Sequence, residues 1–221
     1  MSEVPEAEVV FVVADLAGYT ALTEAHGSKQ AASVVTRYVE LAQEALEPGT
    51  RLVERAGDEL LIVADDAARA LRVAARLRDA VEREPLFPTV RVGIHAGRAL
   101  EQDGRYFGTP LNVAARVAAH ARGGQILCTE EVRRLAGEPD DVEYRPVGPV
   151  RFKNVTDPIV IVEVVAGRRA GEPTAVDPVC RMLVRPETAP ARLPFAGRTY
   201  HFCSFECARA FAERPEAYAE A

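Results

Sequence analysis

The sequence predicts an α+β protein made of two modules, and three observations predict it. Apolar runs of strand length alternate with stretches of helical period through residues 8–165. A Gly-, Arg- and Pro-rich segment without periodicity follows them. Finally, Cys180, Cys203 and Cys207 crowd into the C-terminal tail, leaving only Cys128 in the larger part.

Taken in order, Val9–Ala14 is a continuous Val-rich run, the pattern of a strand buried on both faces. After a turn at Gly18, Lys29–Leu46 carries Val34, Val35, Tyr38, Leu41, Ala42 and Ala45 at helical spacing, and Pro48-Gly49 stops it. Arg51–Glu54 and Leu60–Val63 read as strands joined through Ala56-Gly57-Asp58. A second helix places Ala67, Ala70, Leu71, Ala74, Leu77 and Val81 on one face. Strands are expected at Thr89–His95, Gln125–Cys128, Val142–Val147 and Ile159–Val165, with a helix at Pro110–Ala121. The order strand, helix, two strands, helix, strand is the ferredoxin-like βαββαβ pattern. We expect domains at residues 1–166 and 177–221, with a linker at 167–176. A domain of about 45 residues seldom holds together by apolar burial alone, so the tail requires a further staple.

Composition narrows the function. The 221 residues carry a formal net charge of −6, which argues against a nucleic-acid partner held by a basic surface. No apolar run reaches the roughly 18 residues of a membrane span, and the acidic N-terminus does not read as a signal peptide. The expected location is therefore the cytoplasm, where clustered thiols suggest metal ligands, buried thiols or redox chemistry before disulfides. Neither a phosphate loop of the G-x-x-x-x-G-K-[ST] type nor a G-x-S-x-G elbow is present.

Two acids stand out. Asp15 ends the first strand and Asp58 sits in the tight turn between two others. Such carboxylates suit a pair of divalent cations that activate a hydroxyl and neutralise a phosphate, and they equally suit turn capping.

Four segments, however, resemble the class III nucleotidyl cyclases, the adenylate and guanylate cyclases. They are Val12–Thr20 (VVADLAGYT), Ala56–Glu59 (AGDE), Arg91–Gly97 (RVGIHAG) and Tyr106–Arg116 (YFGTPLNVAAR), in the family's order and spacing across residues 8–165. The resemblance implies conversion of a nucleoside triphosphate, GTP or ATP, to a 3′,5′-cyclic nucleotide and pyrophosphate in signal transduction. Asp15 and Asp58 would hold two Mg²⁺ or Mn²⁺ ions per active site. Gly18, Tyr19 and Thr20 would offer backbone N–H groups to the β- and γ-phosphates at a helix start. Asn112 would position the ribose, and Arg116 would stabilise charge on the pentavalent phosphorus. Arg91 and Lys153 would bind the triphosphate, although Asn154 stands where the family usually has Gly. The family also implies a homodimer with two shared sites. In each site the metal acids come from one protomer, and the Asn/Arg, Lys and base-reading residues from the other. His95 and Cys128 read as core or near-core residues.

The base-reading positions depart from the adenylate pattern of Lys with Asp or Thr, since they hold Glu54 and Arg105. A carboxylate accepts from guanine N1–H and N2–H₂, and a guanidinium donates to O6 and N7, so the pair favours guanine. The same two residues would equally pair with each other. Two other readings are a catalytically silent nucleotide sensor and a metal-responsive binding protein that uses the fold as a dimerising scaffold.

Asp177–Met182 (DPVCRM) and Tyr200–Ser204 (YHFCS), followed by Phe211, Pro215 and Tyr218, resemble the YHS domain, with Arg181 in place of its usual Gly. Cys180, Cys203 and Cys207, with His201 as fourth ligand, would hold Zn²⁺ or Cu⁺. The alternative is three buried thiols around an aromatic core of Tyr200, Phe202, Phe205 and Phe211.

Overall fold

A computed structural model describes residues 6–166 and 174–219. The chain opens with β1 (Glu6–Leu16) and α1 (Tyr19–Ala45), then runs through β2 (Thr50–Ala56), β3 (Glu59–Ala64) and α2 (Ala67–Arg83). Next come β4 (Val90–Gln102), β5 (Arg105–Phe107), α3 (Thr109–His120), β6 (Ile126–Thr129) and α4 (Glu130–Ala136). The strands β7 (Val142–Val150) and β8 (Ile159–Ala166) complete the large sheet, ordered β2-β3-β1-β4-β6-β8-β7, with β5 paired to β4. Its β2-β3-β1-β4 portion is the expected βαββαβ core. Only β4 and β6 run parallel; every other pair in the sheet is antiparallel.

The run in β1 is apolar on both faces because both faces are covered. Val10, Val12, Ala14 and Leu16 pack with the buried faces of α1 and α2. Val9, Phe11 and Val13 pack with Ala114 and Ala118 of α3 on the other side. Each residue expected on the inner faces of α1 and α2 is buried. Asp66 caps α2 by accepting from the Arg69 backbone N–H at 2.8 Å. One buried charge interrupts the apolar face: Arg78, 1% exposed, is paired with Asp79 and donates to the carbonyl of Ala166 at the end of β8.

The first helix begins earlier than its periodicity suggests. It starts at Tyr19 and breaks at Gly27 (φ 79°, ψ 165°), so an eight-residue segment, 19–26, precedes the amphipathic stretch. The left-handed φ at that break is easily reached by glycine. The short β5 and α4 were also not expected from the sequence.

The tail forms two small hairpins, β9 (Ala175–Val176) with β10 (Leu183–Val184), and β11 (Ala191–Phe195) with β12 (Arg198–Phe202). The helices α5 (Phe205–Glu213) and α6 (Pro215–Ala219) follow. Of the segment expected as a linker, residues 167–173 lie outside the described residues, whereas Ala175–Val176 are strand. Phe211 gathers Phe195, Tyr200, Phe202 and Tyr218, with ring centroids 4.8–6.4 Å away. Phe205 is not part of this core. It opens α5, whose inner face is Cys207, Ala208 and Phe211, and it is 71% exposed.

The tail packs on the larger domain through a continuous apolar core. Val179, Cys180, Met182 and Val184 belong to one cluster with Leu16, Leu22 and Phe87. The Leu183 N–H donates to the Phe87 carbonyl at 2.9 Å, and Pro88 bridges to Met182.

Candidate active site and a cysteine-histidine cluster

The end of β1 delivers Asp15, the β2–β3 turn delivers Asp58, and the start of β4 delivers Arg91 directly across the ladder from Asp15. With Leu16, Gly18, Tyr19 and Thr20 they line a cavity of about 200 Å³. Gly18 adopts φ 87° as the residue before α1, and the first-turn N–H groups of that helix open at the cavity. The Ala17 N–H donates to the Thr89 carbonyl at 2.8 Å, tying this loop to the strand that carries Arg91.

Asp15 and Asp58 line the same cavity. Burial, the hydrogen bond with Asp15 and the Asp15 charge together raise Asp58 to about 7. Arg91 offsets part of this crowding, its Nε and Nη2 lying 2.7 and 2.5 Å from Asp15 Oδ2. Two carboxyl groups lining one cavity supply hard oxygen donors of the kind that suit small divalent cations.

The remaining expected residues lie outside that cavity. Asn112 and Arg116 stand one turn apart on α3, Glu54 is on β2, Arg105 on β5, and Lys153 between β7 and β8. Glu54, Arg105, Asn112 and Lys153 are exposed and Arg116 is half-buried. No ion pair joins Glu54 to Arg105 among the described residues. His95 is half-buried, with Nδ1 3.0 Å from Thr129 Oγ1, while Cys128 is fully buried, its thiol pushed up to about 12 by burial. A larger hollow of about 410 Å³ lies elsewhere, lined by Thr50, Arg51, Glu101 and Tyr106 among others. Its arginine is already paired with Glu101 and Tyr106, and it holds none of the expected site residues.

The tail holds a second constellation. Cys203 Sγ lies 3.4 Å from Cys180 Sγ and 3.6 Å from Cys207 Sγ. The fourth member is His26, from the short first segment of α1, with Nε2 3.4 Å from Cys203 Sγ and 3.6 Å from Cys207 Sγ. All four ligand atoms fall within 4.8 Å of one another. The neighbouring Cys180 and Cys203 thiols lower the pKa of Cys207.

His201 does not join this cluster. It sits on β12 opposite Arg192 and next to the fully buried Phe202, so strand alternation directs it away from the aromatic core. Asp177 is a further member that the motif displayed without revealing its role. Fully buried, it accepts from the backbone N–H groups of Val179 (2.8 Å), Cys180 (3.3 Å) and Cys203 (2.8 Å). It thereby fixes two of the three thiol-bearing segments. Ser204 caps α5, accepting from the Cys207 N–H at 3.2 Å and fixing the third.

Comparison with known proteins agrees with both halves. Residues 175–221 match the YHS domain. Over 163 residues the chain is 30% identical to a pH-sensitive adenylate cyclase of Mycobacterium tuberculosis (strain CDC 1551 / Oshkosh), covering 72% of this chain and 41% of that protein. It is 35% identical over 115 residues to an adenylate cyclase of Streptomyces griseus, covering 52% and 29% respectively. Thus the chain spans less than half the length of these curated relatives. Among solved structures, an adenylate/guanylate cyclase/hydrolase from Silicibacter pomeroyi is similar, with a TM-score of 0.66 and 28% identity. That match covers 74% of this chain and 99% of the other.

Proposed function

The chain carries a class III nucleotidyl cyclase catalytic domain followed by a YHS domain, and from that premise we propose that it cyclises GTP or ATP at sites shared by a homodimer. The observation that carries this reading is the cavity in which Asp15, Asp58, Arg91 and the first turn of α1 converge. Two Mg²⁺ or Mn²⁺ ions held by the two acids would activate the ribose 3′-hydroxyl and neutralise the triphosphate. The chain's own residues orient the reactants. The N–H groups of Gly18, Tyr19 and Thr20 receive the terminal phosphates, and Arg91 turns from Asp15 to the triphosphate.

The position of Asn112, Arg116 and Lys153 outside this cavity supports completion of the site by a second protomer. There Asn112 orients the ribose, Arg116 offsets charge at the reacting phosphorus, and Lys153 grips the triphosphate. Glu54 and Arg105 match the donor pattern of guanine, whereas the two relatives described above carry the name adenylate cyclase. The three cysteines of the YHS domain offer a soft donor set for Zn²⁺ or Cu⁺. No helix among the described residues is long and apolar enough to cross a membrane.

The test is direct. Purified protein is incubated with GTP or ATP plus Mn²⁺, and the cyclic product is sought by mass. Asp15→Ala and Asp58→Ala should each abolish turnover while circular dichroism stays unchanged. Wild-type turnover by either variant would refute the metal assignment.

A further inference from the structure

We propose that His26 of the cyclase domain is the fourth ligand of a Zn²⁺ site whose other ligands are Cys180, Cys203 and Cys207. The ion clamps the YHS domain onto the segment that forms the phosphate loop. This deepens the reading of the three cysteines as metal ligands and rests on it.

The distances fit one ion. Zn–S bonds of about 2.3 Å and Zn–N bonds of about 2.0 Å set tetrahedral ligand atoms roughly 3.5–3.8 Å apart. Four of the six contacts within the cluster are 3.4, 3.6, 3.4 and 3.6 Å, and the other two, from Cys180 to Cys207 and to His26, lie within 4.8 Å. Three sulfurs and one imidazole nitrogen form a closed, structural type of zinc site, leaving no position for substrate. The surroundings are already fixed without an ion, because the Asp177 carboxylate holds the Cys180 and Cys203 backbones and Ser204 caps the helix bearing Cys207.

The consequence for the cyclase domain follows from where His26 lies. Residues 19–26 form one short helical segment, bounded by Gly18 at φ 87° and by the break at Gly27. The phosphate-binding turn is at one end of that segment and the imidazole at the other. A second contact presses on the same piece: a Cβ at Gly18 would collide with the Cβ and Cγ of Arg181. Arg181 itself holds the left-handed backbone, φ 67°, that a Gly would adopt freely. The segment is thus held at both ends by the YHS domain, and its cavity remains lined only by cyclase residues. Occupancy of the metal site sets the rigidity of the loop that receives the triphosphate.

Co²⁺ is the probe, used with the full chain and without nucleotide, so no readout depends on turnover. One equivalent should give the intense visible bands of a tetrahedral thiolate site. His26→Ala should alter those bands and weaken Co²⁺ binding by about tenfold or more. In the wild type loaded with ¹¹³Cd²⁺, the His26 ring nitrogen should show coupling to the metal, which requires no variant to fold. Amide exchange across residues 17–27 should slow when the ion binds, and this slowing should vanish in His26→Ala. A three-thiolate spectrum identical in wild type and His26→Ala, without nitrogen coupling, would overturn the clamp and leave the cysteine site standing. Absence of any thiolate–metal band would overturn both. Metal binding through His26 with unchanged exchange at 17–27 would overturn the link to the phosphate loop.

Discussion

The Arg91 guanidinium places Nη2 2.5 Å and Nε 2.7 Å from the same Asp15 oxygen, across a directly opposed pair of β1 and β4. An incoming cation and this guanidinium therefore compete for one carboxylate. Arg91→Gln should bind Mn²⁺ more tightly than the wild type in the absence of nucleotide. The same variant should show a higher KM for the triphosphate, because the freed guanidinium is then missing from the phosphates. Titration calorimetry and steady-state kinetics read the two effects separately, and a fall in both affinities would contradict the exchange.

Asp58 carries a signature in pH. Its folded pKa is raised to about 7 from 3.8, first by burial and then by Asp15. Between those values the folded chain holds a proton that the unfolded chain has released. Its contribution to stability is therefore present at low pH and is lost as pH rises through about 7. In chelator, Asp58→Asn should flatten the decline in Tm between pH 5 and pH 8. For the wild type, apparent Mn²⁺ affinity should climb with pH up to about 7, because binding expels that proton.

Shared sites predict complementation. Asp58→Ala and Arg116→Ala damage opposite halves of each site, so a mixed dimer retains one intact site of two. With random pairing, half of the dimers are mixed, and activity should return to about a quarter of wild type. Two folded, dimeric variants that stay inactive on mixing would count against sharing.

Base choice is tested at Glu54. Glu54→Lys should lower kcat/KM for GTP by about tenfold or more, since an ammonium group cannot accept from guanine N1–H. Unchanged GTP use would remove Glu54 from base recognition.

Asp177 is a positioning residue for the cysteines. Asp177→Ala leaves three backbone N–H groups without their acceptor and should destabilise the tail by about 2–4 kcal/mol. The loss should appear as weaker Co²⁺ binding with the same visible bands, since no ligand has been removed.

The fold of this protein was legible in the sequence wherever the signal was local. The buried strand, the faces of α1 and α2, and the Asp15, Asp58 and Cys203–Cys207 spacings can all be read within short windows. Helix 19–26 was not legible, because its few apolar residues precede a break at Gly27 and never complete a periodic face. β5 has only three residues, and α4 buries a single side chain, Val132. The imidazole that lies beside the thiols is His26 and not the expected His201, because His201 is a near neighbour of Cys203 only in sequence, whereas His26 meets the thiols only after the two domains pack. Spacing reports which residues share an element, and it carries no information on which elements meet.

The contact of His26 with Cys203 joins positions 177 residues apart. Closing a loop of that length from an open chain costs roughly 5 kcal/mol of chain entropy before any contact repays it. The sheet pairs partners nearer in sequence, so the cluster is expected to assemble after it. On the proposed clamp, the segment 19–26 would reach its final rigidity only when the tail is seated, after the strands bearing Asp15 and Asp58 have paired. A nascent or damaged molecule with an unseated tail would, on that proposal, keep its sheet while leaving the turn at Gly18 unclamped.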